Sequence, residues 1–285
     1  MLPAPAPFDA DDDRLARPPK LAQRAEGGGD DGDPDEDGGR MSFLEHLDEL
    51  RRRLMIAAGA VVAGMAISFF FIRYIVAFVM DPLQALLPPD SHFLSTEMTE
   101  GFMLYMKIAA LCGLLIASPV IMTQLWLFVA PGLYAHEKKL AIPFVILASG
   151  FFLLGAAFSH YFVFPFAFGF FANFFGTGSY IQFMPTIGPL FGAYVKMLLA
   201  MGVVFQLPTV VYFLARMGMI TAGWLLKKTK YAILVIFIVA ALITPGPDVV
   251  SQVLVAAPMM LLYGVSIGIA WLVGKKKKKK KKTED

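Results

Sequence analysis

Two clusters of charged residues in this sequence could do chemistry. The first is SFLEHLDELRRRL, residues 42–54, in which three carboxylates precede three consecutive arginines. The second is FVAPGLYAHEKK, residues 128–139, in which Glu137 is the only acidic residue. Carboxylates bind guanidinium groups through paired, charge-assisted hydrogen bonds, so Glu49 and Glu137 on a partly desolvated rim would suit the capture of arginines on a peptide.

The first cluster also has a purely structural explanation. Ser42 followed by Glu45 fits the capping-box pattern and predicts that a helix starts there. Two acid–arginine pairs are four positions apart in the favourable order, acid first: Asp48 with Arg52 and Glu49 with Arg53. The residues alone therefore leave two alternatives open, a self-neutralised helix end at the membrane interface or a binding site.

The elements that must position these residues are membrane helices. The chain is 57% hydrophobic and 16% charged, whereas soluble domains average about 25% charged residues. Continuous apolar runs, rather than alternating ones, predict an all-α membrane protein with six transmembrane helices. The six candidate spans are 54–79, 102–128, 141–165, 191–214, 231–243 and 249–272.

The distribution of Lys and Arg predicts the orientation of these spans. The connections 81–101, 166–190 and 244–250 contain neither residue type, whereas the alternate segments are basic. By the positive-inside rule, both termini are expected in the cytoplasm. The fifth span has only about 13 residues, or roughly 20 Å, so either it ends inside the membrane, or it thins the bilayer, or the helix extends a turn beyond these boundaries. Asp248 would then lie unusually low on the outer side.

The composition predicts three parts of the chain. Residues 1–40 hold 11 of the 22 acidic residues and few large apolar side chains, so we expect a disordered acidic extension. Residues 41–272 form the six-helix membrane domain. Residues 273–285 form a lysine-rich cytoplasmic tail, whose run Lys275–Lys282 is expected to contact anionic lipid headgroups.

One polar side chain falls near the middle of a predicted span. Gln206, two residues before Pro208, needs a hydrogen-bond partner from a neighbouring helix, a freed backbone carbonyl or water. No catalytic motif, metal-ligand pattern or phosphate-binding loop occurs, and Cys112 is the only cysteine. We therefore expect no enzyme, no cofactor and no metal site.

Four segments, in order, resemble the TatC family, the large polytopic subunit of the twin-arginine protein translocase. They are HLDELRRRL (46–54), SPVIMTQLWLFVAPGLYAHEKK (118–139), FSHYFVFPFAFGFF (158–171) and TPGPDVVSQVLVAAPMMLLY (244–263). The resemblance covers about 41–272 and implies a curved, glove-like bundle with short fifth and sixth helices. It also implies a multi-pass protein of the bacterial cytoplasmic membrane.

The resemblance further implies a receptor for twin-arginine signal peptides on folded cargo. Two positions, Glu49 and Glu137, match the family's motif-binding glutamates. Five further positions match residues used in signal recognition: Arg51, Phe128, Pro131, Leu133 and Tyr134. The implied partners are small single-span TatA-like and TatB-like subunits, further copies of the chain and membrane lipids, but no nucleic acid. Transport would be driven by the proton-motive force.

Two positions depart from the family pattern. Gln206 stands where a span-four glutamate is common, and Gly264 replaces the glutamate that often follows Tyr263. Glutamine keeps hydrogen-bonding capacity but cannot titrate, so Gln206 is expected to make a polar intramembrane contact with a partner helix or to thin the membrane locally. The alternative function, a small-molecule or ion secondary transporter, predicts an internal repeat, and 41–165 shows no convincing likeness to 166–272.

Overall fold

The computed structural model describes residues 43–87, 91–129, 141–176, 184–244 and 249–284. By packing, the chain divides into Met1–His46 and Leu47–Asp285, and the membrane helices lie in the second unit. In chain order the helices are α1 (Phe43–Phe70), α2 (Ile72–Gln84), α3 (Glu100–Val129), α4 (Ala141–Phe158), α5 (Phe164–Gly176), α6 (Ile187–Val204), α7 (Leu207–Met217), α8 (Ala222–Ile243) and α9 (Val249–Glu284). Within the described ranges the only other regular pairing is one β-bridge between Leu94 and Thr186.

Five helical stretches in the described ranges are long and apolar enough to cross a membrane. They are Leu47–Phe70, Glu100–Phe128, Ile142–Phe174, Ile187–Met217 and Val249–Gly274. They overlap the predicted spans one to four and six, because long apolar runs are the strongest signal of membrane helices. The first span differs most: 54–79 was predicted as one helix, but α1 ends at Phe70 and α2 occupies the rest.

The predicted fifth span lies in α8, which is 22 residues long. Lys227, Lys228 and Lys230 occupy its first half, so only the part from 231 to 243 is continuously apolar. The number of spans and the side of the termini therefore remain predictions. The capping residue predicted for α1, Ser42, lies outside the described residues, as do the acidic extension before it and Asp248.

The sixth helix is not short in this structure. α9 has 36 residues because it continues from the membrane stretch into the lysine-rich tail. The helix continues through the run Lys275–Lys282 although like charges three and four residues apart repel one another on a helix. The family resemblance implied a short sixth helix, whereas α9 is 36 residues long.

Breaks inside the spans shape the bundle. α6 ends at Val204 and α7 begins at Leu207, because Pro208 lacks an amide proton and its ring would clash with the carbonyl four residues earlier. The predicted third span runs on through a π-helical turn, Ser159–Val163, into α5. A π-turn at this point accommodates Pro165, which cannot donate the usual helical hydrogen bond.

The core is formed by residues of α2 to α6, α8 and α9, and α7 packs along α9. Its centre is apolar, with Ile108, Met197 and Val255 almost fully buried. α1 is the least covered span: 11% of its apolar window is buried, against 50% for the window in Ile187–Met217. Most of α1 therefore presents apolar side chains outward, as expected of a helix surrounded by lipid.

α1 meets α3 at two glycines. A Cβ placed on Gly64 would lie 2.6 Å from the carbonyl oxygen of Gly113, and one placed on Gly113 would lie 2.5 Å from the backbone nitrogen of Met65. Only residues without a side chain let two helix backbones approach this closely. The crossing therefore fixes where α1 lies along α3.

Candidate functional site

The charged cluster on α1 contains one ion pair. Nε of Arg53 donates to Oε1 of Glu49 at 3.1 Å, and Nη2 of Arg53 donates to the same oxygen. Both side chains are half-buried. The second carboxylate oxygen, Oε2 of Glu49, is buried and has no hydrogen-bond partner among the described residues. The Glu49 carboxylate is therefore paired on one oxygen, whereas the other oxygen is buried without a hydrogen-bond partner among the described residues.

The other acid–arginine pair predicted on α1 is absent. The side chains of Asp48, Arg51 and Arg52 are exposed, and Arg53 with Glu49 is the single ion pair within the described ranges. Long exposed side chains gain little from pairing, because ordering two of them costs about as much free energy as the screened attraction returns. The pair of Glu49 and Arg53 forms because both side chains are partly buried, where water screens their attraction less.

Part of the second predicted cluster cannot be placed. Phe128 lies at the end of α3 and is half-buried. Four residues for which the family resemblance implied a part in signal recognition lie outside the described residues: Pro131, Leu133, Tyr134 and Glu137. Their role stays a prediction.

The described residues nevertheless relate Glu49 to Phe128. Glu49 precedes Gly64 by 15 residues and Phe128 follows Gly113 by 15, so each lies about 22 Å from the glycine crossing at 1.5 Å per residue. Further along the chain, α2 packs against α3, and Leu83 near its end shares a core cluster with Leu104 near the start of α3. As the chain proceeds from α1 into α2, its neighbours on α3 therefore come earlier in the sequence. This order of contacts is that of antiparallel helices, so α1 runs antiparallel to α3.

Gln206 lies at the break between α6 and α7. Its Nε2 donates to the backbone carbonyl of Ala148 on α4 at 2.8 Å. The sequence left three possible hydrogen-bond partners for Gln206: a neighbouring helix, a freed backbone carbonyl or water. The partner in the structure is a backbone carbonyl on a neighbouring helix. A hydrogen bond in an apolar setting ties the break to α4 and keeps the amide from being buried without a partner.

α9 carries two polar contacts that sequence reasoning did not find. Nε2 of Gln252 donates to the carbonyl of Phe237 at 2.9 Å, and the hydroxyl of Tyr263 donates to the carbonyl of Leu225 at 2.7 Å. Both acceptors are on α8, so these bonds join the two helices along much of their length. The sequence did not predict this pairing, because both helices are apolar and hydropathy does not indicate which face of a helix packs against which neighbour.

A buried histidine was also missed. Nδ1 of His160, in the π-helical turn, lies 3.0 Å from the hydroxyl oxygen of Tyr194 on α6, and the ring stacks on Phe78 at 4.7 Å between centroids. Nε2 of His160 has no partner among the described residues. The sequence signal was weak, because His160 is one polar residue inside an aromatic run. No group of three or more His, Cys, Asp or Glu residues in the described ranges is arranged to hold a metal ion.

Comparison with known proteins identifies the family. The family model described as Sec-independent protein translocase protein (TatC) matches residues 45–258. The chain belongs to the TatC family. It is 44% identical over 238 residues to a TatC protein of Desulforapulum autotrophicum, covering 84% of this chain and 87% of the relative. It is 40% identical over 241 residues to a TatC protein of Koribacter versatilis, covering 83% and 87%.

Two solved structures agree with this assignment. The crystal structure of the twin arginine translocase receptor TatC is 34% identical, with a TM-score of 0.68 over 80% of this chain and 99% of that chain. The same receptor in DDM is 35% identical, with a TM-score of 0.70 over 79% and 99%. As a TatC family member, the chain is a membrane-embedded component of a Sec-independent protein translocase and not an enzyme.

Proposed function

We propose that this chain is the subunit of a twin-arginine translocase that binds the twin-arginine signal peptides of folded cargo. The observation that carries the proposal is the half-engaged carboxylate of Glu49. One oxygen is held by Arg53, while Oε2 is withdrawn from water and has no partner among the described residues. An incoming guanidinium would satisfy that oxygen with a charge-assisted hydrogen bond.

The geometry of α1 and α3 supports a binding site made from both segments. Antiparallel helices that cross at Gly64 and Gly113 carry Glu49 and Phe128 to the same end of the bundle, about equally far from the crossing. Phe128 leads directly into the segment that contains Pro131, Leu133, Tyr134 and Glu137. Glu49 and Glu137 would each bind one arginine of the pair, with Arg51 beside the first glutamate and the apolar residues contacting the rest of the peptide.

The proposal includes six spans with both termini in the cytoplasm. The 13-residue apolar part of α8 would be a short fifth span, and Asp248 would lie at the outer tip between α8 and α9. The separation of basic and uncharged connections along the sequence supports this orientation. In the bacterial cytoplasmic membrane, the chain would work with small single-span TatA-like and TatB-like subunits and with further copies of itself, using the proton-motive force.

Gln206 would contribute to partner contact through its remaining hydrogen-bonding groups. One N–H of its amide is directed at Ala148, and an amide offers a second N–H and an acceptor oxygen. Because the side chain cannot titrate, such a contact would not depend on protonation at this position.

Photo-crosslinking from a twin-arginine signal peptide tests the receptor role. We expect Glu137→Ala to abolish the crosslink and Glu49→Ala to weaken binding about tenfold or more, because each removes a hydrogen bond between charged groups. A peptide with two lysines in place of the arginines is the ligand control. The protein control is Glu97→Ala, which removes an exposed carboxylate in the segment before α3. If both site variants crosslink like the unaltered protein while remaining inserted in the membrane, these glutamates do not form the receptor site.

A further inference from the structure

A cavity of about 220 Å³ lies between α4, α7 and α9, and no residue of α1 lines it. Its walls are almost entirely apolar and include Phe144, Leu147, Pro208, Phe213 and Ile269. Leu147 on one wall is 44% exposed, so the cavity opens at the outer surface of the bundle. Since these helices are membrane spans, that opening faces lipid. An apolar cavity of about 150 Å³ already holds a benzene-sized ligand, so this one has room for part of an acyl chain.

Polar groups on α7 lead from this cavity to the end of the helix. Thr209, Tyr212 and Arg216 are three and four residues apart, which places them on one face. Thr209 and Tyr212 belong to the cavity wall. Thr209 is 1% exposed, and its hydroxyl has no hydrogen-bond partner among the described residues.

The exposed end of this polar series is cationic. Nη1 of Arg216 donates to the hydroxyl of Tyr212 at 3.3 Å. One residue later α7 ends, and Gly218 caps it with a φ of 87°. Arg216 therefore lies where the helix leaves the membrane, and the cavity begins about 10 Å deeper, the rise from Thr209 to Arg216.

Further cations follow Arg216 at the start of the next helix, α8. Leu225 near the start of α8 belongs to the same buried cluster as Val211 and Ala215 of α7 and Ala270 of α9, and only residues 218–221 separate the two helices along the chain. Lys227 and Lys228 follow directly. The sequence contains no Asp or Glu between residues 138 and 247, so α4 to α8 provide no carboxylate to neutralise this rim. A matching anion has to come from outside these helices.

We propose that the cavity binds one acyl chain of an anionic phospholipid, with the lipid phosphate at Arg216. The acyl chain would fill the apolar part beside Leu147 and Phe213. The hydroxyls of Thr209 and Tyr212 would hydrogen-bond the ester groups that join the acyl chains of the lipid to its glycerol phosphate. The positive rim distinguishes this occupant from the apolar segment of a signal peptide, whose arginines would be repelled by Arg216 and the neighbouring lysines.

Native mass spectrometry of the detergent-purified full chain tests the proposal by titration with phosphatidylglycerol or phosphatidylcholine. We expect one phosphatidylglycerol per chain, bound several-fold more tightly than phosphatidylcholine. Leu147→Trp should fill the cavity and abolish this binding. The matched control is Ile146→Trp, which adds the same bulk at a neighbouring residue that is 68% exposed and outside the cavity wall.

The polar half of the site is tested separately. Arg216→Gln should remove the preference for phosphatidylglycerol, whereas Arg73→Gln, an exposed arginine on α2, should leave it unchanged. Thr209→Val keeps the shape of the side chain, removes its hydroxyl and should weaken binding about two- to tenfold. This variant preserves the test if the tryptophan variant does not fold.

Three results would overturn the proposal. The first is equal binding of both lipids by the unaltered chain. The second is phosphatidylglycerol binding that neither Arg216→Gln nor Thr209→Val changes. The third is a folded Leu147→Trp variant that keeps its phosphatidylglycerol but no longer crosslinks to a signal peptide, which would assign the cavity to the apolar segment of the peptide.

Discussion

Arg53 lies one helical turn after Glu49 on α1, and two of its nitrogens donate to a single oxygen of the Glu49 carboxylate. The other oxygen is buried without a partner among the described residues. The pair therefore holds the carboxylate in one orientation while leaving half of its hydrogen-bonding capacity unused. A cationic ligand at Glu49 would have to share the carboxylate with Arg53 or displace it.

The first prediction is that Arg53→Gln strengthens binding of a twin-arginine peptide about two- to fivefold. Removing the competing guanidinium leaves the negative charge of Glu49 uncompensated, and a half-buried ion pair of this kind is worth on the order of 1 kcal/mol or less. Fluorescence anisotropy of a labelled signal peptide with the purified chain measures the change.

The control for this prediction is Arg52→Gln. Arg52 is the preceding residue, it is exposed, and it forms no ion pair within the described ranges, so its loss changes the net charge equally. Equal strengthening by both variants would show that only bulk charge matters. Weaker binding by Arg53→Gln than by Arg52→Gln would show that Arg53 holds Glu49 ready for the peptide.

The same pair shows how far sequence reasoning reaches on α1. Four-residue spacing predicted two equivalent ion pairs, and the structure forms only the one between Glu49 and Arg53. Spacing identifies which side chains share a helix face but not how deeply each is buried, and burial decides whether the attraction exceeds the entropy cost.

The helices themselves were largely predictable, whereas their interruptions were only partly so. Long apolar runs located five membrane-capable stretches because the bilayer thickness fixes the required length. The break after α6 coincides with Pro208, and proline is a residue that interrupts helices. The break at Phe71 between α1 and α2 has no proline or glycine to mark it. No local residue pattern therefore predicts where this break falls.

The second prediction concerns the hydrogen bond from Gln206 to Ala148. Gln206→Leu should lower the free energy of unfolding by about 0.6 kcal/mol, and by no more than about 1.7, the range found for hydrogen bonds between membrane helices. Binding of the signal peptide should not change, because the bond is far along the chain from Glu49. Unfolding in mixed detergent micelles measures the stability.

Gln124→Leu is the matched control for Gln206. Gln124 is a half-buried glutamine on α3 with no hydrogen bond among the described residues. Replacing it should leave stability unchanged or raise it slightly. Equal losses from both variants would mean that the interhelical bond contributes nothing measurable. Loss of co-purifying small subunits from Gln206→Leu alone would support its proposed role in partner contact.

The third prediction concerns the glycine crossing. Gly113→Ala should destabilise the protein by about 1–3 kcal/mol, because its Cβ would lie 2.5 Å from the backbone of α1, and backbone atoms cannot turn aside as a flexible side chain can. Displacing α1 should also weaken peptide binding at Glu49. Micelle unfolding and the peptide-binding assay measure the two effects.

Gly59→Ala controls for the effect of alanine itself. Gly59 lies on α1 with nothing within 4 Å of the position that a Cβ would take, so the change should be neutral or stabilising through helix propensity. If Gly113→Ala proves as harmless as Gly59→Ala, the two backbones are not in close contact, and the crossing does not set the position of Glu49.

The fourth prediction concerns the buried pair of His160 and Tyr194. Tyr194→Phe keeps the ring but removes the hydroxyl that bonds Nδ1, leaving His160 without a partner on either ring nitrogen among the described residues. A buried polar group that loses its only hydrogen bond costs about 1–3 kcal/mol, so the free energy of unfolding should fall by that amount.

Tyr161→Phe is the matched control. It also removes a tyrosine hydroxyl, from an exposed ring that contacts His160, and should change stability by less than about 0.5 kcal/mol. Equal effects from the two variants would show that the bond between His160 and Tyr194 does not stabilise the junction of the π-helical turn with α6.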